Sequence, residues 1–376
     1  MKLIIAAEIY SPDIGGPATY SNELAEELAK RSWKVKIICY STEVHNDNKN
    51  FSVIRILRSQ KAIQRYSKYC WYLFLHTRFS HLIYAQGPVS SGLPSIIVGF
   101  LLRKKVVVKV TGDYAWEQAR NFDKTSLGID EFQGKKFKGK IGWLQKIESW
   151  VCRRADTVIV PSNHLKTVVT GWGVDQDKIN VIYNSFDPKI TIEKKKIDPN
   201  LIVSVGRLVP WKGFEALISI MPELLKVNPE FKLVIFGDGP RKDELTKLID
   251  QLDLKDKVLI PGRVSHEGLM QMLHCGVFVL NTGYEGLSHT ILEAFTAGVP
   301  VVTTKIGGNL DVVTDNENGL LIEYNNKEQL KEAILKLYDN QDLRQKFIDN
   351  SKKVLDKFSF EGMINKTMNI LKITNK

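Results

Sequence analysis

The chain has 376 residues, of which 43% are hydrophobic and 25% charged, with a formal net charge of +11. These are ordinary values for a globular protein and predict two or three domains. They exclude a membrane-spanning chain, because no run approaches the roughly 20 apolar residues that a spanning helix needs. The N-terminal stretch 1–10 is too short for a signal peptide, and Glu8 interrupts it. Cys39, Cys70, Cys152 and Cys275 lack zinc-type spacing and read as reduced thiols of a cytoplasmic protein.

Short β-type runs alternate with helical patterns along the whole chain. Up to residue 190 the predicted strands are 2–6, 35–39, 53–57, 82–84, 106–110, 157–160 and 179–182. Helical patterns fall at 18–30, 65–76 and 142–154, and the apolar stretch 93–102 reads as a buried helix. Beyond residue 200 the strands are 201–205, 232–236, 258–260, 277–280, 301–303 and 319–322, with helices at 214–227, 242–253 and 327–338. This alternation predicts α/β domains with parallel sheets covered on both faces. Residues 189–200 break the pattern with a short, charged segment holding Pro199, as a linker should. The predicted domains are 1–190 and 200–357, and a final helix at about 358–376 returns to the first.

The charge is unevenly placed. Residues 1–190 carry 28 Lys and Arg against 17 Asp and Glu, whereas residues 191–376 carry 25 of each. The excess in the first half predicts an anionic partner there: membrane surface, phosphorylated lipid or nucleic acid. No nucleic-acid recognition motif accompanies it. Two basic, aromatic segments, 65–78 and Lys135-Lys-Phe-Lys-Gly-Lys-Ile-Gly-Trp143, suit the interface of an anionic bilayer. The first reads equally as a core helix, and the second competes with a solvated loop.

Several loops at carboxyl ends of predicted strands hold chemistry. Gly15-Gly16-Pro17 precedes a helix and lets backbone approach an anion, or is a plain turn. Arg207 and Lys212, flanked by Gly206 and Gly213, supply two cations of the kind a departing diphosphate needs. Gly237-Asp-Gly239-Pro240 and Gly307-Gly308 either admit phosphate or sugar or form tight turns. Glu285 and Glu293 flank Gly-Leu-Ser-His-Thr-Ile-Leu, with Glu285 expected in a loop and Glu293 in the first turns of a helix. Both carboxylates then face one crevice at the carboxyl end of a strand, unless they are merely a loop Glu and a solvated helix Glu. Asp175-Gln-Asp177 has a metal-binding spacing but lies in a polar turn far from these loops.

Taken together these residues resemble the family 4 glycosyltransferases, retaining enzymes of the GT-B fold. The resemblance covers essentially the whole chain and is strongest over 201–322, through Gly15-Gly16, Gly206-Arg207, Lys212-Gly213, Gly237 to Pro240, and the E-x7-E pair Glu285 and Glu293. It implies two Rossmann-like domains facing across a cleft, with a nucleoside diphosphate sugar held mostly by the second. Arg207 and Lys212 would neutralise the diphosphate, Glu293 hold the ribose and Glu285 the sugar. Gly15, Gly16, Gly239 and the Leu287-Ser288-His289-Thr290 backbone would meet the rest of the donor. The resemblance implies no metal or other cofactor, a glycan or lipid-linked acceptor on the first domain, and a place at the cytoplasmic face of the membrane.

The chain departs from the family at several points. Asp113 stands where His is common and is expected either to bind a sugar hydroxyl or to act on the acceptor proton, and Gln86 also replaces a frequent His. Asn184-Ser185-Phe186-Asp187 replaces the usual Asn-Gly, and Asp311 a common Glu. Alternatives are a nucleotide-sugar epimerase of the same fold and a non-catalytic nucleotide-sugar-binding subunit of a glycan assembly complex.

Overall fold

Residues 1–13, 16–43, 49–185 and 197–375 are described by the computed structural model. Gly15 and most of the expected linker lie outside them. The chain divides into two units, Met1–Ala119 with Asp130–Asn184 and Glu361–Lys376, and Arg120–Ile129 with Ser185–Phe360.

The first unit is built on a seven-stranded sheet. Its strands are β1 (Lys2–Ala7), β2 (Lys34–Ser41), β3 (Ser52–Leu57), β4 (Leu82–Ala85), β5 (Lys105–Lys109), β6 (Thr157–Val160) and β7 (Ile179–Val181). They run parallel in the order β3-β2-β1-β4-β5-β6-β7. The second unit holds β8 (Asp198–Val205), β9 (Lys232–Phe236), β10 (Val258–Gly262), β11 (Cys275–Leu280), β12 (Val301–Thr304) and β13 (Leu320–Ile322). Its parallel order is β10-β9-β8-β11-β12-β13.

Helices cover both faces, so the central strands are largely apolar; β4 and β11 are buried at every position. In each sheet the order reverses between the first and fourth strands of the unit, β1 and β4 or β8 and β11. Outside the carboxyl ends of such a pair, parallel sheets leave a crevice for ligands.

Two expectations need correction. β8 starts at Asp198, inside the segment read as linker, because Asp198 pairs with Cys275 and its N–H donates to His274 O at 2.8 Å. The apolar stretch does form a helix, Leu93–Leu102, but not a buried one: Ile97, Phe100 and Leu101 are 43%, 81% and 63% exposed. A helix apolar all round does not tell which face packs.

The final helix, Phe360–Thr374, buries Met363, Ile364 and Leu371 in the first unit. Arg31 bridges to Glu361 at 2.8 Å and to Asn365 at 2.6 Å, and Thr374 Oγ1 lies 2.9 Å from Thr157 Oγ1. All four cysteines are free thiols. No helix among the described residues is long and apolar enough to cross a membrane.

Candidate functional site

In the second unit, the chain leaving β8 turns at Gly206-Arg207 and enters a short 3-10 turn, Pro210–Lys212. Gly213 follows at φ +56°, in the left-handed region, where an added Cβ would meet Asn281 Nδ2 at 2.5 Å. Asn281, 2% exposed just after β11, donates to Gly213 O at 2.9 Å and to Asn325 Oδ1 at 3.0 Å. The N–H of Gly283 donates to Trp211 O at 2.6 Å. The loops after β8 and β11 are thus laced into one piece. Arg207 is exposed, its guanidinium 5.8 Å from the Trp211 ring centroid. It forms no ion pair among the described residues.

Lys212, instead of pointing to solvent, bonds directly to Glu285 Oε1. The two side chains retain only 14% and 16% of their exposure. A cation from the β8 side and a carboxylate from the β11 side therefore meet at the reversal point of the sheet. The backbone of Glu285 is held from below: Gly308 N donates to Glu285 O at 2.8 Å. An added Cβ on Gly308 would strike Gly286 O and come within 2.9 Å of Leu287 Cα. Gly307-Gly308 accordingly serve the position of the Glu285 loop, not a ligand directly.

Leu287 is buried, and Ser288 caps the helix His289–Thr296, its Oγ accepting from Ile291 N at 3.3 Å. The amino-terminal end of this helix follows β11 at its carboxyl side, where the helix dipole favours an anion. Glu293 lies one turn further on and is 8% exposed. Its Oε1 lies 2.8 Å from His266 Nδ1, while its buried Oε2 has no hydrogen-bond partner among the described residues. A buried carboxylate oxygen left unpaired is costly, and a ligand hydroxyl would satisfy it.

The structure thus brings Lys212 and Glu285 into contact, with the Ser288 cap and Glu293 following on the helix that the Glu285 loop enters. Gly237 and Gly239 are accounted for by packing: a Cβ on Gly239 would meet Leu208 O at 2.5 Å, and one on Gly237 Gly206 C at 3.0 Å. Asp175 Oδ1 accepts from Asp177 N at 3.1 Å, a turn as read. His266 was not legible, since nothing local links it to a carboxylate 27 residues away. Asn281 carried a weak signal, a polar residue directly after an apolar strand.

In the first unit, Gly16 begins the helix Gly16–Lys30 with open space beside its Cα. Asp113 is 2% exposed. Its Oδ1 accepts from Trp116 N at 2.7 Å and its Oδ2 from Gln133 Nε2 at 2.8 Å. Burial raises its pKa. Both oxygens thus bond within the first unit. Gln86 is 3% exposed, and its Nε2 has no partner among the described residues.

Glu8 stands out instead, at the carboxyl end of β1 beside β4. Its Oε1 accepts from Ser90 N at 3.1 Å, and a Cβ on Gly87 would meet that oxygen at 2.5 Å. Burial lifts its pKa to about 7, against backbone bonds from Ser90 and Ser91 that pull it down. The folded state therefore holds this proton more tightly than the unfolded chain. The resulting stability is complete below about pH 4.5 and lost as pH rises through about 7. Glu8→Gln is expected to match the parent's melting temperature near pH 4.5 and to exceed it by a few degrees at pH 8. Melting curves across that range check this; a constant difference would refute it.

Two doubly wound parallel sheets, with a cation and carboxylates gathered at the reversal point of the second, define the architecture of GT-B glycosyltransferases. The chain belongs to the family 4 type: residues 14–190 match the model of Glycosyltransferase Family 4, and residues 186–354 that of Glycosyl transferases group 1. It is 32% identical over 233 residues to the uncharacterized glycosyltransferase MJ1607 of Methanocaldococcus jannaschii, covering 57% of this chain and 60% of that one. It is 29% identical over 213 residues to a Campylobacter jejuni transferase, named N-acetylgalactosamine-N,N'-diacetylbacillosaminyl-diphospho-undecaprenol 4-alpha-N-acetylgalactosaminyltransferase. That match covers 54% of this chain and 57% of the relative. The fold is similar to that of Anabaena Alr3699/HepE, crystallised with UDP-glucose, at TM-score 0.78, 19% identity and 99% of both chains.

Proposed function

We propose that this chain moves a hexose, with retention of configuration and without a metal, from a nucleoside diphosphate sugar to a glycan or lipid-linked acceptor. The observation that carries the reading is the meeting of Lys212 and Glu285 at the β8/β11 reversal. An ammonium there neutralises the diphosphate and a carboxylate beside it holds sugar hydroxyls or a positive anomeric centre. Arg207 and the start of the helix His289–Thr296 add positive potential for phosphate. Glu293 Oε2 takes a ribose hydroxyl. In the transfer, the bond from the anomeric carbon to the diphosphate breaks and one to the acceptor oxygen forms. The acceptor's proton passes to the departing phosphate, so neither Glu need act as a base.

The relatives support the substrate classes: HepE was crystallised with UDP-glucose, and the Campylobacter enzyme's name specifies an undecaprenol-linked acceptor. A place at the cytoplasmic membrane face fits the basic first half. No nucleic acid is involved in this reading.

A thermal-shift screen against nucleotide sugars tests the donor directly, because a bound donor stabilises the native state by mass action. Glu293→Ala is expected to weaken the selected donor by about ten-fold or more, a lost hydrogen bond to a charged group. Unchanged donor affinity in that variant removes Glu293 from the site. Release of an epimerised sugar without acceptor would identify an epimerase. Donor binding with no turnover by the purified chain would identify a binding subunit.

A further inference from the structure

The first unit contains a cavity of about 750 Å³ walled by three helices, Ala62–Thr77, Leu93–Leu102 and Gly139–Arg154. Tyr66, Cys70, Val89, Ile97, Trp143 and Leu144 are among its walls, and Lys140 stands at its edge. Trp143 and Ile97 are 66% and 43% exposed, so the mouth lies on the outer faces of their helices. A second cavity of about 400 Å³ shares Leu93, Trp143 and Ile147 and adds Trp150, Lys146 and Arg153. The two form one apolar groove passing Trp143.

The charge around the groove has one sign. Its lining includes Lys140, Lys146 and Arg153 and no carboxylate. The one acid of the helix Gly139–Arg154, Glu148, is 1% exposed and turned inward, accepting from Tyr114 N at 2.7 Å. Phe100 and Leu101 stand 81% and 63% exposed on the neighbouring helix. Loop 134–138 is pinned beside the groove: Phe137 stacks on Phe132 with centroids 4.6 Å apart, and its N–H donates to Gln145 Oε1 at 3.2 Å. The lysines of that loop are thereby held at one end of the apolar surface. Exposed apolar patches of this extent mark binding surfaces. Indole rings and cations beside an apolar slot suit a ligand whose tail is hydrocarbon and whose head is anionic.

We propose that this groove holds the hydrocarbon chain of an anionic lipid acceptor, which makes the acceptor class lipid-linked and rests on the transferase reading above. The chain lies along Trp143 and Ile97, and the cations at the rim face the head group.

The test uses the full chain and dodecyl phosphate below its micelle concentration, followed by calorimetry. Butyl phosphate supplies the head without the chain, and dodecyl maltoside the chain without the charge. Dodecyl phosphate is expected to bind about a hundred-fold or more tighter than butyl phosphate, since eight further methylenes leave water. Ile97→Trp, which fills the mouth, and the exposed pair Lys146→Glu with Arg153→Glu are each expected to weaken it about ten-fold or more. UDP-glucose binding, on the second unit, stays unchanged in both.

Equal binding of butyl and dodecyl phosphate overturns the proposal, as does undiminished binding in Ile97→Trp. So does a dimer in sedimentation that dodecyl phosphate fails to dissociate, which would make the groove a contact between copies. Loss of UDP-glucose binding in the parent, with dodecyl phosphate still bound, strikes the donor reading instead.

Discussion

Lys212→Ala is expected to abolish sugar transfer while both units stay folded. The ammonium stands between two loops that carry opposite ends of the proposed donor site, in direct contact with Glu285. Bond breaking places new negative charge on the diphosphate, and a fixed cation at that point acts more strongly in the transition state than in the bound donor. Removal of one such group costs on the order of 10²–10³ in turnover in other enzymes, and here it also leaves Glu285 facing phosphate without a counter-charge. Glu285→Ala is expected to be equally inactive. Circular dichroism melting within a few degrees of the parent establishes that the loss is chemical. Full turnover in both variants would refute the placement of the site.

Gly308→Ala is expected to damage the same site without touching a charged group. The added methyl would collide with Gly286 O, and Leu287 Cα lies within 2.9 Å of its position, so backbone and not a flexible side chain must yield. Overpacking of this kind costs about 1–3 kcal/mol. A displacement of the Glu285 loop by about an ångström is enough to lower turnover about a hundred-fold. Donor binding is expected to fall less than turnover, because Arg207 and Lys212 sit on the other loop. Parent-like kinetics with a parent-like melting temperature would show that this loop has room to move.

The alternation of strands and helices was legible because strands buried on both faces are written as apolar runs, as Val277-Phe-Val-Leu280 of β11 is. The loops of the proposed donor site stand out through glycine and charge at strand ends. The Lys212–Glu285 contact was not, because it joins residues 73 apart and only the sheet order brings them together. Asp113 carries two signals at once. Its sequence, Asp-Tyr-Ala-Trp, carries a helix-capping signal, but its place in the family pattern drew attention to chemistry. The exposed face of the helix Leu93–Leu102 was hidden by its own composition, since every side appears fit to pack.

The Lys212–Glu285 contact has one more consequence. Glu285 is bonded to the lysine ammonium, so in the proposed reaction a nucleoside diphosphate would compete with a tethered carboxylate for that cation. In that scheme a whole donor compensates by offering Glu285 the hydroxyls of its transferable sugar, which the spent nucleoside diphosphate has lost. On that reading the carboxylate would reclaim its cation, and the chain itself would hold the means to expel product and begin the next cycle.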